Sequence, residues 1–331
     1  MSGDIWSQIF GFANYGELLV LVHNSIIAGA ILGVVGGLIG PFVMTRDLAF
    51  AVHGVSELSF AGASAALLFG VNVVTGSIAG SLLAALLIGV LGSRARERNS
   101  IIAVLMPFGL GLGILFLALY KGRSANKFGL LTGQIVSVDN PQLLMLVIIS
   151  LVVIAGLIFL WRPLSFASVD ADVARAKGLP VAGISIAFMV LLGLATAVSI
   201  QIVGALLVLS LLVTPAAAAM RVTASPFLTP LLSVVFAVTS VVGGILLALG
   251  GGLPISPYVT TISFLIYVVC RIIGSRQRRK GNNGRVLPAP AVSTIAGGGH
   301  PGRGTPGNEK PCARRSAAAT TSSARRTCTR G

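Results

Sequence analysis

Residues 143–161 read LLMLVIISLVVIAGLIFLW, a run without a single charged side chain. A helix needs roughly 20 mostly apolar residues to cross about 30 Å of hydrocarbon, and this run meets that length unaided. Comparable runs lie on both sides of it: Leu18–Val43, Leu48–Phe69, Val71–Leu91, Ile101–Tyr120, Val181–Ile200, Ile202–Met220, Phe227–Leu249 and Tyr258–Ile273. The pairs that meet at Phe69/Val71 and Ile200/Ile202 have almost no polar linker. One of the nine therefore reads as broken, tilted or re-entrant. The expected fold is all-α: an integral membrane protein built as a polytopic bundle of eight or nine transmembrane helices.

Composition agrees. Of 331 residues, 55% are hydrophobic and 10% charged, with a mean hydropathy of +0.94. A soluble domain carries roughly 25% charged residues, so an ordinary cytosolic enzyme and a polar disordered chain are both excluded. Three cysteines, Cys270, Cys312 and Cys328, are too few for a disulfide scaffold and show no metal-ligand spacing. The formal charge of +15 is unevenly placed: residues 1–270 carry 11 Lys/Arg against 8 Asp/Glu, and residues 271–331 carry 13 against Glu309 alone. The basicity belongs to a tail, so it does not imply a nucleic-acid partner. From Gly281 the tail is rich in Gly, Pro, Ala, Ser, Thr and Arg without apolar period, a composition that reads as disordered. The chain divides into an N-terminal segment 1–17, a transmembrane domain 18–274 and a basic cytoplasmic tail 275–331.

Orientation follows from Lys and Arg in short connections. Arg94, Arg96 and Arg98 come after the third run, Arg162, Arg175 and Lys177 lie between the fifth and sixth, and Arg271 to Lys280 come after the last. All three can be cytoplasmic. The loop Lys121–Asn140 then falls outside despite Lys121, Arg123 and Lys127, and its apolar stretch Phe128–Val138 reads as an interfacial or re-entrant helix. Asp4 and Glu17 ahead of the first run, with no basic start, do not read as a cleavable signal peptide.

Ionisable groups inside apolar spans cost roughly 2.5–3.5 kcal/mol on insertion scales and default to function. His53 and Glu57 share one helix face, about 6 Å apart along the axis. An imidazole and a carboxylate suit Mn²⁺, Fe²⁺ or Zn²⁺, but two ligands do not close a site. A second subunit or a neighbouring helix would have to complete it. The plainer readings are a His53–Glu57 pair satisfied by itself, or an interfacial pair near Arg46 and Asp47. His23, beside Asn24, reads as interfacial. Ser165–Pro180 is a polar connector with Asp170 and Asp172 early, Arg175 and Lys177 late, then Gly178 and Pro180, which is the pattern of a short helix with its stop. It is either a solvated connector or a docking helix. Gly109-Leu-Gly-Leu-Gly113 lies within an apolar run and reads as helix packing, and no P-loop pattern occurs in the sequence. No enzyme active site is visible.

Several stretches together resemble the membrane subunits of ABC-type zinc/manganese importers. Gly40-Pro-Phe-Val-Met-Thr-Arg46, with Leu48-Ala-Phe50 and His53–Gly62, is similar to that family's second helix. Asp172-Val-Ala-Arg-Ala-Lys-Gly178 resembles its cytoplasmic coupling segment, Val203–Ala217 its most recognisable helix, and Ser240–Gly244 with Pro254 and Pro257 its last region. The likeness covers residues 20–273 in order. It implies a non-enzymatic permease of the plasma membrane that dimerises, pairs with a separate cytoplasmic ATP-binding subunit and receives metal from an extracytoplasmic metal-binding protein. His53 and Glu57 then fall on the metal pathway, with the family's Asp-then-His order reversed, and Asp172, Ala174 and Gly178 on the ATPase coupling segment. No cofactor is implied beyond the transported Mn, Zn or Fe. Pro215 would free a carbonyl in its helix. A secondary transporter driven by an ion gradient is the alternative from another class.

Overall fold

A computed structural model describes residues 22–92, 95–122, 138–204, 207–249 and 255–282. The N-terminal segment 1–17, most of Phe128–Val138 and the tail from 283 onward lie outside the described residues. Lipid offers no partner for backbone N–H and C=O groups, so each span must bond them within itself as a helix. Eight helices are long and apolar enough to cross: α1 (His23–Thr45), α2 (Ala49–Phe69), α3 (Val73–Leu91), α4 (Ala95–Leu119), α5 (Asn140–Val169), α7 (Val181–Val203), α10 (Leu228–Leu249) and α11 (Ile255–Asn282). A short α6 (Ala171–Ala176) joins α5 to α7, and two short pieces, α8 (Val208–Leu212) and α9 (Thr214–Val222), join α7 to α10. Among the described residues there is no strand.

The broken run is therefore Ile202–Met220, and its physical cause is local. Gly204 holds φ 86°, a conformation costly for residues with a Cβ, and it ends α7. Pro215 then sits in the first turn of α9, where its missing N–H costs nothing. It begins a helix rather than freeing a carbonyl inside one. The two pieces still traverse the bundle. Gly36 and Gly40 of α1 pack on Leu211, Leu212 and Ala216 in ascending order, and Gly274 of α11 lies against the Arg221 carbonyl. The pass runs parallel to α1, so the described residues hold eight helices long enough to cross and one further pass in two pieces.

That count places the basic residues together. Arg46, Arg98, Arg162, Arg175, Lys177, Arg221 and Arg276 fall at one end, with Lys121 opposite, the asymmetry that the Lys/Arg rule assigns to a cytoplasmic side. Two sequence boundaries shift. α5 runs through Pro163 to Val169, so Ser165–Val169 belongs to the long helix and the short helix starts only after Asp170. α11 runs to Asn282, carrying the first basic residues of the tail on the helix.

The described residues hold a small apolar cluster of Ala167, Ala174 and Val181 and two large ones. One joins α1 to α10, with Ala28, Leu32, Val241 and Ile245 buried. The other surrounds α2, which packs between α3 and α4, and reaches α7 through Phe188, Met189 and Leu192. Gly109 and Gly113 of α4 lie against Leu58 and Phe60 of α2, whereas Gly111 has nothing within 4 Å. The packing reading of that glycine stretch holds for the two residues that face α2.

Candidate functional site

α2 starts at Ala49, so His53 lies in its second turn and Glu57 one turn deeper. Nε2 of His53 lies 3.7 Å from Oε1 of Glu57, with the side chains 34% and 8% exposed. Ser56 Oγ donates to the His53 carbonyl at 2.8 Å, which ties that hydroxyl to the backbone. Oε2 of Glu57 is buried and has no hydrogen-bond partner. A buried carboxylate oxygen without a donor is expensive. One oxygen faces an imidazole, the second is free to accept, and the imidazole is open enough to be reached. Among the described residues no group of three or more His, Cys, Asp and Glu could hold a metal, so the pair is incomplete among them. His23, by contrast, is an exposed first residue of α1, and the adjacent Asn24 donates to Asn140 Oδ1 at 2.9 Å. His23 stands at the start of the first span.

Hydroxyls hold α2 in place. Ser59 Oγ lies 2.9 Å from the Ser77 carbonyl and 2.8 Å from Ser77 Oγ, and Ser77 Oγ donates to the Ala197 carbonyl at 3.1 Å. These bonds connect α2, α3 and α7 half a turn beyond Glu57. Sequence reading passes over these serines because hydropathy treats a serine in a membrane helix as neutral filler.

At the basic end of the bundle, Asp170 caps α6 by accepting from the N–H groups of Asp172 and Val173, both at 3.0 Å. Arg175 pairs with Asp172 at 2.9 Å, and Lys177 lies 5.0 Å over the Phe166 ring. Gly178 stops the helix at φ 80°, with Gly178 N–H bonded to the Arg175 carbonyl and Leu179 N–H to that of Ala174, the paired closure of a Schellman motif. Asp172, Val173 and Arg175 are exposed, whereas Ala174 is fully buried with Ala167 and Val181. Ala174 anchors α6 to the junction of α5 and α7 and cannot itself touch a partner. A Cβ at Gly178 would meet nothing within 4 Å, so Gly178→Ala is penalised by conformation alone, about 1–2 kcal/mol. Asp170→Ala removes the cap at about 0.5–2 kcal/mol. Each should leave the thermal melting of the bundle nearly unchanged while raising amide hydrogen exchange in 170–178.

The sequence pattern of the ABC 3 transport family matches residues 19–274. The manganese transport system membrane protein MntC of Halalkalibacterium halodurans is 29% identical over 225 residues, covering 68% of this chain and 77% of that protein. The manganese import system permease protein ScaB of Streptococcus parasanguinis is 26% identical, covering 78% and 92%. The high-affinity zinc uptake system membrane protein ZnuB of Buchnera aphidicola is 24% identical, covering 76% and 97%. Among solved structures, PsaBC from Streptococcus pneumoniae in complex with Fab shares the fold, with a TM-score of 0.73 at 24% identity over 82% of this chain and 99% of that one.

Proposed function

The chain belongs to the ABC 3 transport family, and on that premise we propose that it is the plasma-membrane permease subunit of an ATP-driven importer of a divalent metal ion. The observation that carries this reading is the His53–Glu57 pair, an imidazole and a buried carboxylate with one oxygen unpartnered, on a membrane helix. The names of relatives add manganese and zinc as cargo classes, and iron(II) shares the ligand chemistry. Two donors bind a cation weakly, which suits a site that must also release it. A second copy related by a twofold axis would bring a second pair to face the first across a shared pathway. The sequence has no P-loop, so ATP hydrolysis belongs to a separate cytoplasmic subunit, with an extracytoplasmic metal-binding protein delivering the ion outside.

In this cycle α6 is the contact element. Its exposed Asp172, Val173 and Arg175 meet the ATPase, while buried Ala174 transmits displacement to the ends of α5 and α7. The preference of the ATP-bound state for one arrangement shifts the population between outward and inward access. The test is uptake into proteoliposomes containing the chain with its ATPase subunit and loaded binding protein. Mn²⁺, Zn²⁺ or Fe²⁺ should accumulate only with ATP and with all components present. Accumulation by the chain alone on an ion gradient would make it a secondary transporter and overturn the reading.

A further inference from the structure

The cytoplasmic end of α2 carries a second unsatisfied site, of opposite sign. Arg46 closes α1, and Asp47 takes the left-handed conformation, φ 53°, to turn the chain into α2. Arg98, in the first turn of α4, donates from Nη2 to the Arg46 carbonyl at 3.3 Å. The Arg46 guanidinium lies 5.8 Å over the Phe188 ring. Asp47 attracts Arg98, yet Arg46 Nη1 and Arg98 Nε are both buried and donate to nothing. Burial first and the Arg98 charge second push the Arg46 pKa below its ordinary value. Two like charges, close together and with buried donors unused, are costly unless an anion joins them.

Along α4 from Arg98, α2 and α4 leave an open cavity of about 470 Å³ lined by Phe50, Asn99, Ile102, Ala103, Met106 and Pro107. Ile102 lies one turn from Arg98 on the same face of α4, and Met106 one turn further, so the cavity follows α4 to about 12 Å along its axis from Arg98, into the apolar layer. Charge at the membrane edge above apolar depth is the order of a phospholipid. Inorganic phosphate has nothing to fill the cavity, and a carboxylate on a protein partner would approach from the cytoplasm without entering it. We propose that Arg46 and Arg98, with the α2–α4 cavity, hold one anionic phospholipid of the cytoplasmic leaflet, its phosphodiester on the guanidinia and an acyl chain between Phe50 and Met106.

Native mass spectrometry of the full chain, purified in detergent and offered phosphatidylglycerol and phosphatidylcholine of equal chain length, tests this. One phosphatidylglycerol should be retained per chain with roughly 10- to 30-fold preference, the scale of two interfacial basic residues. Arg46→Gln with Arg98→Gln should erase the preference. Met106→Trp fills the cavity but keeps both guanidinia, and should also release the lipid, which keeps the test open if the double variant does not fold. Equal retention of both lipids, displacement by millimolar inorganic phosphate, or full retention in Met106→Trp would each overturn the proposal. So would a double variant that keeps phosphatidylglycerol but no longer binds the ATPase subunit, which would make the arginines a protein-docking site.

Discussion

Glu57→Leu should abolish metal accumulation while leaving the chain as stable as before, or more so. The two readouts move apart because of what Glu57 costs and what it does. An ionisable group in a membrane helix costs roughly 2.5–3.5 kcal/mol on insertion scales, and Oε2 recovers none of that through hydrogen bonding. A carboxylate kept only to pair with His53 would be a stability element, and its loss would lower the melting temperature. A carboxylate kept for the ion is a stability liability, and replacing it with an apolar side chain of similar volume relieves the bilayer. Loss of partners outside the direct ligand shell already costs roughly 10–100-fold in metal affinity, so loss of the ligand itself should lower uptake by at least that factor. His53→Ala should fall similarly, and Glu57→Asp, which keeps the charge on a shorter arm, should fall less. Radiometal uptake and thermal melting in detergent, measured on the same preparations, decide the matter. A Glu57→Leu chain that melts several degrees lower yet still accumulates metal would return the pair to a structural role.

How far the sequence discloses this molecule depends on which force sets each feature. Span positions are legible because the bilayer imposes one criterion, length of apolar helix, on every crossing alike. The broken pass is less so: Ile202–Met220 is as apolar as its neighbours, and only the backbone angle at Gly204 and the register of Pro215 split it. The end of α5 is hard to read because Arg162 and Pro163 look like a stop. The helix instead continues to Val169, about two turns further, and ends where the Asp170 side chain can cap α6. The candidate site divides in the same way. The four-residue spacing of His53 and Glu57 fixes a shared face on a helix, so their proximity is readable. The unpartnered state of Oε2 is not, because it depends on what the neighbouring helices fail to offer. Arg46 and Arg98 lie 52 residues apart, and hydropathy treats each merely as a span end, so only the packed structure makes them a pair.

Gly62→Val should unfold or grossly destabilise the bundle, and Gly76→Val should do the same, although neither residue touches a polar group of the site. A Cβ built on Gly62 would fall on the Gly76 carbonyl oxygen, one on Gly76 would fall on the Gly62 carbonyl oxygen, and one on Gly80 on that of Leu58. The obstacle in each case is backbone within a hydrogen-bonded helix, which cannot swing aside as a side-chain terminus can. The only relief is separation of α2 from α3. Association in lipid rests on close packing and interhelical hydrogen bonds, with little hydrophobic drive to compensate, so separation also breaks the Ser59–Ser77 bonds at 2.8 and 2.9 Å. Overpacking alone typically costs about 1–3 kcal/mol, and here the lost contacts add to it. Because α2 carries His53 and Glu57, any variant that still folds should show weaker uptake with both of those side chains present. Gly111→Ala is the control: nothing lies within 4 Å, and alanine is favoured over glycine inside a helix by about 1 kcal/mol. It should melt at the wild-type temperature or slightly above and transport normally. If Gly62→Val melted with Gly111→Ala, the α2–α3 contact would not be the close backbone approach that positions the site.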